Sequence, residues 1–377
     1  MDADVLVVGA GPAGLAVAAC LQERGVETII VDRGEAIGES WRRRYERLHL
    51  HTPRSQSALP GLRIPREFGR WIAKDDMAAY LELYARQHAL APRFGTHVDR
   101  LERDGDLWVA LTGDRRWSAR HVVMATGYSN AAARPVWPGE ESFAGEIVHA
   151  VDYRAPAFYS GRRVLVVGAG NTGAEIAADL VEHGAASVWL SMRTPPNIVP
   201  RQLGPIPITI MAAGMEHSPA WLVDPVNRRL QRWTLGDLTR FGMPAPTAGV
   251  VAQARATGVT PTIDVGLVRW LRAGRVTPVA AMDRFDDGRA VLSDGTRLEP
   301  DVVIAATGYS TGLLPVVGHL GVLDLQGRPL VNGPRDLEQA PRLRFIGLSN
   351  PLKGQLFQIR LHAQAIARSI AREHRPA

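Results

Sequence analysis

Short runs of β-branched and aliphatic residues alternate along the chain with stretches whose apolar positions recur every three to four residues. The first run, "DVLVV" (4–8), leads into "GAGPAG" and then "LAVAACLQERG", a helical pattern closed by Gly25. "VETIIVD" (26–32) reads as the next strand, which completes a strand–turn–helix–strand unit of a parallel sheet. The pattern returns as "RRVLVV" (162–167), "GAGNTG" (168–173), "AEIAADLVEHG" (174–184) and "AASVWLSMR" (185–193). Each copy is followed by short strands with turn signals, "LERDGDLWVAL" in one and "MDRFDDGRAVLSDGTRLEP" in the other. Each then closes on an apolar strand ending in Ala-Thr-Gly-Tyr, "HVVMATGYSN" (121–130) and "DVVIAATGYST" (301–311). The expected fold is α/β, with two Rossmann-like dinucleotide-binding domains.

The glycine turns specify what such units hold. Gly9 permits the tight turn, Gly11 lets a pyrophosphate approach the backbone, and Gly14 lets helix pack on strand. Pro12 and Ala13 open a helix whose N-terminus faces the phosphates. Asp32, followed by Arg33, stands 23 positions after Gly9, where a carboxylate can bind ribose hydroxyls. In the second copy Gly168, Gly170, Asn171, Thr172 and Gly173 repeat the turn, but position 23 is Ser191, with Arg193 two residues on. A carboxylate there would repel a 2′-phosphate, whereas serine with a nearby arginine suits one. The first site therefore suits a ribose with free hydroxyls, and the second suits NADP. Thr126–Gly127 and Thr307–Gly308 let backbone run close to each cofactor.

Charge and cysteine content narrow the chemistry. The net charge is +6, but the basic residues are dispersed arginines apart from Lys74 and Lys353, so no nucleic-acid partner is expected. No apolar run is long enough to span a bilayer, and "MDADVLVVGAGPAG" reads as a first strand, not a signal peptide, which makes a cytoplasmic protein the default. Cys20 is alone, so no dithiol–disulfide pair can form within the chain, and it is expected to be buried and inert. No clustered His/Cys ligands point to a metal.

Four features together resemble the class B flavoprotein monooxygenases: the flavin-containing monooxygenases, the plant YUCCA enzymes and their bacterial relatives. They are the paired fingerprints, "GESWRRRYERLHLHT" (38–52), the paired Ala-Thr-Gly-Tyr segments, and "FAGEIVHAVDY" (143–153). The last matches the family's Phe-x-Gly-x-x-x-His-x-x-x-Tyr/Phe signature through Phe143, Gly145, His149 and Tyr153. The Baeyer–Villiger branch prefers tryptophan where Tyr153 stands. The resemblance implies that NADPH reduces FAD, and that dioxygen adds at C4a to give a hydroperoxide sheltered by NADP⁺. That species would oxygenate a small organic substrate at nitrogen or sulfur. Alternatives are YUCCA-like decarboxylation of a 2-oxo acid, Baeyer–Villiger insertion, or a nucleotide-binding redox sensor.

The resemblance also places residues. Ser40 and Trp41 would lie near FAD, as would His51 and Thr52 at the start of the segment that passes over the flavin. The asparagine that many members carry near the flavin's reactive edge has no counterpart between His51 and Ala73. Ser55, Gln56, Asn171 and His149 are therefore the candidates near the flavin, with His149 cast as a positioning group. Gln355 would return the chain to the flavin. The expected division gives residues 1–154 and 311–377 to an FAD domain. Residues 155–310 form the inserted NADP domain, with a proline-rich insertion at about 195–262. That insertion can serve as a lid, a homodimer contact or a membrane-surface patch.

Overall fold

The computed structural model describes residues 1–113, 115–215 and 218–374. Residues 216–217 of the insertion and the last three residues lie outside that description. The chain forms two compact units, one of residues 1–43, 52–131 and 309–377, the other of residues 44–51 and 132–308.

In the first unit, parallel strands Thr28–Val31, Ala3–Val8 and Arg115–Met124 lie side by side. The ten-residue strand Arg115–Met124 changes character along its length. Its first half, "RRWSA", alternates exposed and covered positions and pairs antiparallel with Leu107–Thr112. Its last four residues, His121–Met124, are buried, and Val122–Met124 pair parallel with Leu343–Phe345. Alternation suits a half-covered antiparallel ribbon, and an unbroken apolar run suits a sheet covered on both faces. Helix Pro12–Gln22 is buried at every position from Ala13 to Leu21 and packs against the final helix, Gln355–Glu373. Cys20 is 1% exposed within that contact, and burial pushes its thiol up to about 11, which makes it inert as expected.

The second unit is a five-stranded parallel sheet in the order 276–279, 187–191, 163–167, 302–305, 146–149. The order reverses between strands Arg163–Val167 and Val302–Ala305, the position at which doubly wound sheets bind ligands. Helix Asn171–Glu182 covers one face through Ile176, Ala177 and Leu180, and strands Met282–Asp286, Arg289–Leu292 and Arg297–Leu298 make a small antiparallel sheet.

Three segments fall elsewhere than the sequence division puts them, the shortest being residues 309–310, which join the first unit. Residues 132–154 belong to the second unit, because strand Glu146–His149 pairs along Val302–Ala305. Residues 44–51 leave the first unit to lie on helix Asn171–Glu182, for reasons given by the polar contacts described next.

Candidate functional site

Both strand–helix turns have the geometry of a phosphate cradle. Gly9 and Gly168 sit at φ values of 112° and 114°, in the region that favours glycine. A Cβ on Gly14 or Gly173 would stand 1.8 Å from the carbonyl oxygen of Gly9 or Gly168, so only glycine lets helix and strand close up. Gly11 and Gly170 differ: a Cβ on either meets nothing within 4 Å. Those positions are open on the side a phosphate would occupy, at the N-termini of helices Pro12–Gln22 and Asn171–Glu182. The cradles thus fit dinucleotides.

In the first unit the Asp32 carboxylate accepts from the backbone N–H of Ala10 at 2.6 Å and of Gly34 at 2.7 Å. This fixes the carboxylate at the mouth of the turn, with remaining lone pairs for ribose hydroxyls. Arg33 donates to the Asn130 carbonyl at 3.0 Å. Gly9 abuts the Ala125 carbonyl, which brings Thr126 and Gly127 to the cradle. The Thr126 hydroxyl is buried and engages no partner among the described residues. A buried hydroxyl without a partner is costly unless something absent from the chain pairs it, and a bound cofactor would do so.

The C-terminal segment closes onto the same place. Gln355 donates to the Gly347 carbonyl at 2.8 Å, and Gly347 lies against Ala13. Gln56 donates to the Lys353 carbonyl at 3.1 Å, and Gly354 is pressed against Thr52. Thr52, Gln56 and Gln355 are therefore linked to the first cradle through one run of backbone. Ser55, beside them, is exposed. Ser40 and Trp41 stand on the short helix Glu39–Arg42, which packs against helix Lys74–Gln87 through Gly38 on Ala78 and an Arg42–Glu82 ion pair.

In the second unit Thr307 and Gly308 flank the cradle in the same way, because Gly168 abuts the Ala306 carbonyl. Thr172 follows Asn171 in the first turn of the helix. Here two expectations need correction. Ser191 is fully buried. Its hydroxyl donates to the Ala280 carbonyl at 2.8 Å and accepts from the Met282 N–H at 2.9 Å. It is committed to backbone on both sides, whereas Arg193, two residues on, is exposed. Asn171 commits its side-chain amide to the insertion: its oxygen accepts from the Ile263 N–H at 2.8 Å and its nitrogen donates to the Pro261 carbonyl at 3.2 Å. His51 is held by Glu175 at 2.5 Å.

That last contact belongs to a group the sequence reading missed. Glu175, Asp179 and Glu182 recur at helical spacing along one side of helix Asn171–Glu182, and residues 44–51 lie on them. Tyr45 donates to Glu175 at 3.0 Å, Arg47 pairs with Glu182, and Tyr153 donates to Asp179 at 2.9 Å. Burial pushes the Asp179 carboxyl up, against the pull of Tyr153, Arg47 and His183. The available signal was a pair of acids four apart within an otherwise apolar helix face, "EIAAD", which demands buried partners.

The signature segment is structural in this unit. Phe143 stacks on Phe285 with centroids 4.7 Å apart, Gly145 lies against the Asp301 carbonyl, and Tyr153 stacks on Tyr159. His149 is 2% exposed, and its Nδ1 accepts from the Val151 N–H at 3.0 Å, which puts the proton on Nε2. Burial and then the Arg134 charge push its pKa down, so the ring is neutral.

Known proteins resemble the chain at both the sequence and the structural level. A family profile described as pyridine nucleotide-disulphide oxidoreductase matches residues 6–202. The indole-3-pyruvate monooxygenase YUCCA1 of Oryza sativa subsp. japonica is 36% identical over 313 residues, which cover 82% of this chain and 77% of that protein. The probable indole-3-pyruvate monooxygenase YUCCA7 of Arabidopsis thaliana is 33% identical, covering 97% of this chain and 87% of the relative. Among solved structures, a flavin-containing monooxygenase from Stenotrophomonas maltophilia superposes with a TM-score of 0.76 at 26% identity, covering 99% of each chain.

Proposed function

The chain belongs to the class B flavin monooxygenases, FAD-dependent oxidoreductases with two Rossmann-type domains, and from that premise we propose that it is an NADPH-dependent monooxygenase with FAD in the first cradle and NADP in the second. The observation that carries this reading is the contrast between the two strand ends. One presents the fixed carboxylate of Asp32, the other an exposed arginine and no acid. A carboxylate suits a ribose with free hydroxyls and repels a 2′-phosphate; Arg193 does the reverse.

When bound, FAD and NADPH supply the redox chemistry by which dioxygen is activated. The chain's own residues bind and orient them. The open faces of Gly11 and Gly170 admit the pyrophosphates, and the two helix N-termini offer them N–H donors. Thr126 offers its buried hydroxyl to the first cofactor. Thr52, Gln56 and Gln355 wall the same cradle, and Gln56 is held by the Lys353 carbonyl. The neutral ring of His149 keeps its neighbourhood free of an extra cation.

Two substrate classes follow from different observations. The sequence signature favours a soft nitrogen or sulfur nucleophile. The relatives at 33–36% identity are indole-3-pyruvate monooxygenases, and their likeness over nearly the whole chain favours oxidative decarboxylation of an aryl 2-oxo acid. NADPH consumption and oxygen uptake, measured with amines, thioethers and aryl 2-oxo acids while carbon dioxide is collected, separate them. Carbon dioxide released in step with NADPH selects the 2-oxo acid; N- or S-oxide without it selects the nucleophile. NADPH consumption stimulated by no substrate, with all oxygen recovered as hydrogen peroxide, would overturn the monooxygenase assignment.

A further inference from the structure

The insertion carries a surface that the proposed chemistry does not use. Of the sixteen large apolar side chains exposed among the described residues, eight fall between Ile206 and Val259. Four of these share helix Ala220–Leu235: Trp221 at 77% exposure, Leu222, Val226 and Trp233 at 82%. At 100° per residue they occupy one side of the helix, and Val223, Asp224 and Leu235 on the other side are buried.

The exposed side is also basic. Arg228, Arg229 and Arg232 project from it, and none makes an ion pair among the described residues. The helix's only acid, Asp224, is 5% exposed and accepts from the N–H groups of Val251 at 2.8 Å and Ala252 at 3.1 Å, so its charge is turned inward. Asp237, just past the helix end, is occupied by Thr239 and lies 3.9 Å from Arg240. A solvated helix face has little reason to expose two tryptophans. A self-complementary contact with a second copy would set three arginines against their own symmetry mates.

We propose that helix Ala220–Leu235 is a peripheral docking face for an anionic lipid surface, with Trp221 and Trp233 entering the headgroup layer and the three arginines meeting lipid phosphates. Tryptophan is favoured where one side is apolar and the other wet, and arginine gains from the negative potential of such a surface. No helix among the described residues is long and apolar enough to cross a membrane, so the attachment is to one leaflet.

The test is flotation of the FAD-loaded full chain with phosphatidylcholine vesicles, with and without phosphatidylglycerol. Partitioning is expected only with the anionic lipid, with a blue shift of tryptophan emission. It should be lost at about 1 M salt, where the Debye length is about 3 Å. At roughly fivefold per arginine, Arg228→Gln/Arg229→Gln/Arg232→Gln should weaken it on the order of 100-fold. Trp221→Ser/Trp233→Ser should abolish the blue shift while NADPH oxidation is unchanged. Should the tryptophan variant fold poorly, the arginine variant decides alone, since those side chains are exposed. Absence of binding at low salt, equal binding to neutral vesicles, or no loss in the arginine variant would each overturn the proposal. So would a wild-type dimer that the tryptophan changes disperse without any affinity for vesicles, which would assign the face to a second copy.

Discussion

A Cβ on Gly9 would stand 2.5 Å from the Ala125 carbonyl oxygen, and one on Gly168 would stand 2.4 Å from that of Ala306. Gly127 and Gly308 have φ values of 90° and 89°. The two cradles thus repeat each other closely in backbone, although the helices that follow them have diverged. Helix Pro12–Gln22 is apolar on all sides and buried between sheet and C-terminal helix. Helix Asn171–Glu182 carries Glu175, Asp179 and Glu182 and grips residues 44–51 with them. Binding a pyrophosphate constrains backbone, so the turn is held constant. Which ribose is accepted, and what the helix packs against, depend on side chains that are free to differ.

The largest expected effects come from separating the two kinds of glycine. Gly11→Val and Gly170→Val add a side chain where the chain has nothing within 4 Å, so each protein should fold. Gly11→Val should be purified without yellow colour. Gly170→Val should keep its FAD, yet be reduced by NADPH on the order of 100-fold more slowly, since a side chain there costs the second dinucleotide several hydrogen bonds. Gly14→Val and Gly173→Val should instead unfold their own units, seen as loss of soluble protein, because 1.8 Å from a carbonyl oxygen cannot be relieved. Full flavin occupancy in Gly11→Val would break the comparison at its root.

Arg193→Ala sharpens the contrast at the strand ends. A charge-assisted contact of roughly 1.5–3 kcal/mol predicts a rise in the KM for NADPH of about 10- to 150-fold, with that for NADH nearly unchanged. Ser191 should not share this selectivity. Its hydroxyl joins Ala280 and Met282, so Ser191→Ala should cost stability and treat both nucleotides alike. An equal loss with NADH in Arg193→Ala would make the arginine structural and leave the second cradle without an explanation for its missing acid.

That pair of residues also marks how far the sequence could be read. The cradles were legible because their determinants are local: a strand, three glycines and a helix start lie within a dozen positions. Ser191 occupied the expected register, but its role is set by Ala280 and Met282, some ninety residues further on. Asn171 was misplaced for the same reason. Its partners, the backbone of 261–263, become neighbours only through packing. The two acids Glu175 and Asp179 were visible in an apolar helix face, but nothing in their spacing identified Tyr45 and Tyr153 as the hydroxyls that satisfy them. The boundary near residue 154 missed by one strand, since only pairing with Val302–Ala305 reveals where Glu146–His149 belongs.

The smallest expected effect lies in the threonines of the duplicated Ala-Thr-Gly. Thr307 donates to the Ala133 carbonyl at 2.6 Å, whereas the buried hydroxyl of Thr126 has no partner among the described residues. Valine is close to threonine in shape, so replacing either removes a hydroxyl with little change in packing. Thr307→Val loses a hydrogen bond within the chain and should lower the stability of the second unit by about 0.5–1.5 kcal/mol, with or without cofactors. Thr126→Val removes a hydroxyl that the apoprotein leaves unpaired, so the apoprotein should be unchanged or slightly more stable. If FAD pairs that hydroxyl, the holoprotein should hold flavin about 2- to 12-fold less tightly, the same range of energy expressed as a dissociation constant. Denaturation of both variants with and without FAD, together with flavin release measured by fluorescence, gives all four values. A Thr126→Val protein that loses stability as the apoprotein and binds FAD normally would show that its hydroxyl serves the fold. The two threonines would then be alike, and the partnerless hydroxyl would no longer mark the flavin side of the first cradle.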